Sequence, residues 1–398
     1  MRRIVAGILA GSGFGAVIAL LLSPLISRLF PPEVFGEFST VLAVAVAIAG
    51  VSTQRLEVVA HSRKNDGQSS ALLKAALLSN IGITALAGAA TLLLITLDTI
   101  PGVWAILPLL LSVVGIQLVA NSSEALKKNY QEIAIYTGVQ NGGTPAAQIV
   151  FGVMCPGVTG LALGFISIRF IWSGAILRIM RAKSSRIRKT YLQVWRQAIT
   201  AGASALMNAT AGQLLILLSA ILYGPIAAGI AAMSIRLLIS PLSTVGQAVA
   251  TASLGEVGAL IRRDQGGAAA TIVKKTALSL LALGSPPLLL VLLLAPGIIP
   301  TLLGEEWVMA GNAVQALALG ALAQFAVAPF SQVMNIAGQS RRLAVWDATR
   351  LILFALAIVV PAIMGGGMIA AIWSYSAAQL ILYLVMFKMV LSSLQSIE

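Results

Sequence analysis

Long unbroken apolar runs constrain this chain more than any other feature. They fall at roughly 4–27, 35–60, 71–96, 104–121, 138–155, 157–180, 197–221, 226–252, 274–296, 309–336, 344–364 and 367–391 of 398 residues. At about 18–28 residues each, they match the ~20 residues that an α-helix needs to cross a bilayer core. Turn signals separate them: Pro31-Pro32, Asp98 to Gly102, Pro156-Gly157, Gly224-Pro225, Pro296-Gly297 and Gly365-Gly366-Gly367. The composition agrees, with 58% apolar against 10% charged residues, where soluble domains carry about a quarter charged. The fold expected is an all-α integral membrane protein of twelve transmembrane helices. Met1-Arg2-Arg3 before an apolar stretch is like a secretory signal. The run to Ile26 is too long for one, with no small-residue cleavage site before Arg28, so it reads as a retained first helix.

Charge sets the orientation. With both termini cytoplasmic, 22 of the 26 Lys and Arg residues fall on the cytoplasmic side, and Arg28 alone on the other. The external segments hold Glu33, Glu37, Asp98, Glu305 and Glu306 instead. This is the positive-inside pattern, and it accounts for most of the +13 net charge without nucleic acid as a partner. The chain also looks doubled. Leu29-Phe30-x-Pro32-x-x-x-Gly36 after the first span returns as Leu222-Tyr223-x-Pro225-x-x-x-Gly229 after the seventh, 193 residues later. Six helices per half make the halves parallel repeats. The expected division is a six-helix bundle at 1–180, a basic cytoplasmic linker at 181–196 and a second six-helix bundle at 197–398.

Little enzyme chemistry is on offer. One cysteine, Cys155, and one histidine, His61, allow neither a disulfide framework nor a Cys- or His-based metal site. No G-x-x-x-x-G-K-[ST] occurs, and Gly11-x-Gly13-x-x-Ala16 lies within a span with no strand before it. No cofactor and no metal are expected, and the chain is read as a non-enzyme.

Ionisable residues inside the spans are the strongest functional signal, because each costs roughly 2.5–3.5 kcal/mol to insert. Arg236 lies ten residues into the eighth span and Arg169 at similar depth in the sixth. Each is either an anion ligand or a structural arginine holding neighbouring carbonyls. Arg55 and Glu57 sit near the inner end of the second span, where i,i+2 spacing on a helix turns them to different faces and keeps them apart. Asp347 and Arg350, at i,i+3 in the eleventh, are placed for a structural salt bridge. Amides recur along the spans, Gln54 and Gln247 among them, suited either to interhelical bonding or to a polar cavity. Arg55, Arg169 and Arg236 against Glu57 alone make the membrane interior cationic. That favours an anion, above all a phosphate, which arginine binds through paired donors.

Several motifs carry a family resemblance. Phe30-Pro31-Pro32-Glu33-Val34-Phe35-Gly36-Glu37-Phe38 resembles the turn after the first helix of the polysaccharide transporter family. Gln54-Arg55-Leu56-Glu57 resembles the end of that family's second helix. Tyr223-Gly224-Pro225 to Gly229, with Arg236-Leu237-Leu238 and Pro241-Leu242, is similar to its seventh-to-eighth-helix signature. Leu303-Gly304-Glu305-Glu306-Trp307, Ser331-Gln332 and Trp346-Asp347-x-x-Arg350 are similar to its C-terminal pattern. The resemblance implies a Wzx-type oligosaccharide flippase of the multidrug/oligosaccharidyl-lipid/polysaccharide exporter superfamily. It implies two six-helix bundles around a central cavity, carrying an undecaprenyl-pyrophosphate-linked glycan across the bacterial plasma (inner) membrane by alternating access. Arg55, Arg169, Arg236, Gln54 and Gln247 are then the expected substrate ligands, and Glu57 a possible ion-coupling residue. The partners implied are the lipid-linked oligosaccharide, membrane lipids and polysaccharide polymerase machinery. The first span bears no charge where related lipid II flippases carry a cation, and the extra C-terminal helices of some relatives are missing. The rival readings are a multidrug cation antiporter of the same superfamily and a non-transporting membrane scaffold.

Overall fold

A computed structural model describes residues 2–63 and 65–396, except the side chains of residues 2–12, 130, 204, 247, 248 and 250–252. Lys64, one of the cytoplasmic cations, and the side chain of Gln247 lie outside the described part. Every described element is helical. In chain order the α-helices are α1 Arg2–Leu29, α2 Pro32–Ser52, α3 Leu56–Val59, α4 Asp66–Thr96, α5 Leu107–Leu126, α6 Tyr130–Met154, α7 Val158–Arg169, α8 Ser173–Arg181 and α9 Ile187–Leu192. They continue with α10 Trp195–Tyr223, α11 Pro225–Ser234, α12 Ser240–Ile261, α13 Gly266–Leu303, α14 Val308–Val327, α15 Ser331–Ile336, α16 Ser340–Ile363 and α17 Met368–Gln395. Ten helical stretches among the described residues are long and apolar enough to cross a membrane, and α1 adds the shorter apolar piece Gly13–Leu29. The expected fifth span falls on α6, which is not one of the ten.

The helix boundaries follow the chain's punctuation, with one correction. Gly157 (φ 93°) and Gly224 (φ 88°) take the left-handed backbone that starts α7 and α11, a conformation that costs other residues. Pro225 at the first position of α11 has no N–H to leave unpaired. Pro296-Gly297 is not a turn, however. α13 runs through Pro286, Pro287, Pro296 and Pro300 and ends only at Gly304, φ 103°. Membrane helices tolerate internal prolines where neighbours satisfy the freed carbonyls, and the Gln315 amide donates to Leu292 O at 2.6 Å.

The chain divides into two compact units, Glu37–Gln213 and Met1–Gly36 with Leu214–Glu398. In the first unit, α3, α4, α8 and α10 close on a core of Leu56, Leu72, Ala76, Ile179 and Ala198. Trp172 is fully buried with the Tyr136 ring 4.4 Å away, edge-on. The basic segment 181–196 is folded onto this unit. Lys74 Nζ donates to Ala182 O (2.8 Å), Ser185 N to Gly67 O (2.9 Å) and the Tyr191 hydroxyl to Gln54 Oε1 (2.8 Å).

In the second unit the two copies of the Pro-x-x-x-Gly motif meet. A Cβ on Gly36 would fall 1.8 Å from Pro225 O, and one on Gly229 would fall 1.9 Å from Pro32 O. Each glycine thus gives the other copy's proline room for a backbone-to-backbone crossing of the first turns of α2 and α11. Trp307, from the Gly304-Glu305-Glu306-Trp307 motif, seals the same unit. It is fully buried, donates Nε1–H to Ser27 O at 3.1 Å and meets the Phe35 ring edge-on at 5.9 Å.

Candidate functional site

The cationic side chains expected inside the membrane differ in what holds them. Arg169 closes α7 where the backbone tightens into a 3₁₀ turn at Phe170–Trp172. Its Nη1 donates to Phe165 O (2.7 Å) and Thr144 Oγ1 (3.5 Å), and its Nε to Gln117 Oε1 (3.2 Å). The guanidinium carbon lies 3.3 Å from the centroid of the Phe165 ring. Gln117 is engaged in turn, exchanging two bonds with Gln140. The donors of Arg169 are therefore directed at protein groups, as in a structural arginine.

Arg55 and Glu57 correct the helical reading of their spacing. α2 stops at Ser52, and Gln54 and Arg55 both take φ 51°. The i,i+2 geometry of a helix therefore does not apply, and Arg55 Nη1 reaches Glu57 Oε1 at 3.5 Å. Glu57 is only 2% exposed, and among the described residues neither carboxylate oxygen has a hydrogen-bond partner. Arg55, one-third exposed, is its ionic partner. Gln54 is committed on both sides, its amide donating to Ser79 Oγ at 3.0 Å and accepting from Tyr191.

A second buried acid, not singled out from the sequence, lies in the first unit. Glu124, near the end of α5, has a 1% exposed side chain. It is neutralised by Lys127 (3.4 Å) and Arg178 (3.3 Å), and Asn129 donates to its second oxygen. Arg178 also grips Glu132 at 2.6 Å, which holds that carboxyl below its ordinary range. The i,i+3 spacing of Glu124 and Lys127 was the available signal. Asp347 and Arg350 lie 3.2 Å apart, with the Arg350 guanidinium 4.9 Å over the Trp346 ring.

Arg236 stands apart from all of these. It sits in a π-helical stretch, Ile235–Ile239, between α11 and α12. Pro241 explains the irregularity: it has no N–H for Leu237 O four residues back, so the ladder shifts register before α12. Such single-turn π segments are frequent at functional sites. The Arg236 side chain is half-buried. Among the described residues it has no hydrogen bond, ion pair or aromatic ring as a partner. A full set of guanidinium donors is left available on one irregular turn within a membrane helix. Gln247, further along α12, has only its backbone described.

The sequence model of a family described as "Polysaccharide biosynthesis protein" matches residues 96–311. No curated protein matches the sequence. Among solved structures, the lipid II flippase MurJ in an inward closed conformation superposes with a TM-score of 0.75 at 12% identity, over 98% of this chain and 89% of that one. A MOP superfamily transporter from Pyrococcus furiosus, described as having a binding pocket of reverse polarity, gives 0.64 at 14% identity over 99% and 96%. The Vibrio cholerae MATE transporter VcmN, in its bent form, gives 0.62 at 13% identity over 99% and 97%. These likenesses show a shared all-helical fold, and with the apolar helices they make the chain a multi-pass membrane protein.

Proposed function

The chain belongs to the polysaccharide biosynthesis protein family, and on that premise we propose that it is a flippase for an undecaprenyl-pyrophosphate-linked oligosaccharide. The load is an O-antigen or other surface-polysaccharide repeat unit, moved across the bacterial plasma membrane by alternating access. This reading keeps twelve spans as two parallel six-helix repeats, with both termini cytoplasmic and 181–196 between the repeats.

The observation that carries it is Arg236, a guanidinium in a membrane helix with no partner among the described residues. Desolvating such a group is costly unless an anion or water takes its donors. A pyrophosphate accepts several charge-assisted hydrogen bonds at once. Arg236 is accordingly the principal ligand of the anionic head. Arg55, paired with Glu57 in the first unit, is a further candidate ligand, while Arg169 and Gln54 bond to groups of that same unit. An inside-negative potential assists export of a net negative load by about 2.3 kcal/mol per charge per 100 mV. Glu57 is the residue through which a cation would couple, by competing with Arg55 for the carboxylate. A polysaccharide polymerase is the partner that such a load would be handed to.

A cation antiporter is supported less well. Among the described residues Glu57, Glu124 and Asp347 each face a basic side chain, which leaves little uncompensated negative charge for a cationic drug. The test is reconstitution of the purified protein in liposomes holding lipid-linked oligosaccharide, with its arrival in the outer leaflet read by a membrane-impermeant lectin. Wild type moves the lipid and Arg236→Gln slows it at least tenfold. Equal rates for protein-free and wild-type liposomes overturn the reading.

A further inference from the structure

The second unit contains a cavity of about 310 Å³ between α12, α14 and α15. Ile239, at the end of the π-helical turn that carries Arg236, lies on its wall. Its polar lining is Ser243, Gln324, Ser331 and Gln332, and its apolar face includes Phe325 and Pro329. No charged side chain lines it among the described residues. Gln324 accepts at Oε1 from Gln379, and Gln332 accepts at Oε1 from Asn335 at 3.0 Å. Among the described residues, neither Gln324 Nε2 nor Gln332 Nε2 donates to anything. The Ser243 and Ser331 hydroxyls donate back to their own helix, at 2.9 Å each, and so keep lone pairs for an incoming donor.

We propose that this cavity is a saccharide subsite, receiving a sugar ring of the substrate while Arg236 engages the anionic head. The inference rests on the flippase reading above. Its chemistry is selective. Four N–H bonds from two primary amides suit hydroxyl or N-acyl oxygens, and the serine oxygens accept from hydroxyl groups. The edges of Phe325 and Pro329, both otherwise buried, make part of the wall apolar, against which C–H groups of a sugar ring would pack. A diphosphate is disfavoured where no cation lines the wall. A prenyl tail is disfavoured because it would bury both amide groups without partners, each at the cost of its lost hydration. The volume is at the lower end of the ~300–1,000 Å³ typical of small-molecule sites, which fits roughly one or two rings and not a whole repeat unit. The cavity therefore reads the part of the glycan nearest the pyrophosphate.

The experiment compares binding of two probes to purified protein in nanodiscs: bare undecaprenyl pyrophosphate, and the host's lipid-linked oligosaccharide. The variants are Gln324→Leu, Gln332→Leu and their combination, with Arg236→Gln as reference. The double leucine variant is expected to bind the glycosylated lipid about tenfold more weakly, in line with two or more lost hydrogen bonds, and the bare lipid as wild type does. Retained binding of the bare lipid shows at the same time that the variant is folded. Arg236→Gln weakens both. If the leucine variants bind both probes as wild type does, or change both alike as a prenyl pocket would, the subsite is refuted and the flippase reading stands. If wild type binds neither probe, the flippase reading itself fails.

Discussion

Replacing Gly229 by alanine tests the crossing of the two repeated motifs. The added Cβ would lie 1.9 Å from Pro32 O, 2.8 Å from the carbon of that carbonyl and 3.1 Å from Gly36 N. A Cβ essentially never comes within 3.0 Å of a neighbour, so the first turns of α2 and α11 must part by more than 1 Å. The obstacle is backbone of a helix's first turn, which cannot rotate aside as a side chain does. Overpacking of this kind costs about 1–3 kcal/mol, and the upper end applies here. Alanine returns about 1 kcal/mol through helix propensity, so the net loss is about 2 kcal/mol. Gly212→Ala is the control, being helical with nothing among the described residues within 4 Å of its Cβ position. Thermal melting in detergent, at one scan rate because such unfolding is often irreversible, should place Gly229→Ala several degrees below wild type and Gly212→Ala at or above it. The Gly36→Ala/Gly229→Ala double variant should lose less than the two singles together, since helices already parted accept the second methyl cheaply. Melting of Gly229→Ala at the temperature of Gly212→Ala would refute the close crossing.

Arg169→Met should lower stability by about 2 kcal/mol, because Gln117, Thr144 and Phe165 O lose a donor together. Substrate binding per folded molecule should be unchanged, and a selective loss of binding would make Arg169 a ligand instead. Arg55→Ala should destabilise more than Arg55→Ala/Glu57→Leu, since the single change strands a carboxylate that is 2% exposed; equal melting of the two variants would show that the pair is not formed. Arg178 holds the Glu132 carboxyl below its ordinary range, chiefly through its hydrogen bond. The folded value is thus below the unfolded one, and the pair's contribution is complete at neutral pH and lost as pH falls through the folded value. It is small, because both side chains are partly exposed. Melting curves between neutral and acid pH should be flatter for Glu132→Gln, and parallel curves would remove the pair from the account.

Much of the fold could be read from the sequence, because hydropathy alone fixes which segments must be helical in lipid. The apolar runs coincide with helices, and the Pro32/Gly36 and Pro225/Gly229 motifs mark where two first turns touch. Trp307, recognised only as part of a motif, proved to be a packing residue bonded to Ser27 O. Legibility failed where local periodicity is broken. Arg55 and Glu57 pair because Gln54 and Arg55 leave helical φ, and α13 ignores Pro296-Gly297 because neighbouring helices tolerate the break. It failed again where tertiary partners decide a residue's state. Arg169 and Arg236 look alike in sequence, at similar depth in their spans. Only the fold brings Gln117, Thr144 and the Phe165 ring to the first and leaves the second without a partner among the described residues.

Arg236 is proposed to hold the anionic head of a lipid-linked glycan during its passage across the membrane. The most direct measurement is the leaflet location of lipid-linked oligosaccharide in cells deleted for this gene and complemented with wild type, Arg236→Lys or Arg236→Ala at matched membrane expression. The expected result is cytoplasmic-leaflet accumulation in the deletion, clearance by wild type, partial clearance by Arg236→Lys and none by Arg236→Ala. Full clearance by Arg236→Ala would contradict the assignment of the site, and no accumulation in the deletion would contradict the function.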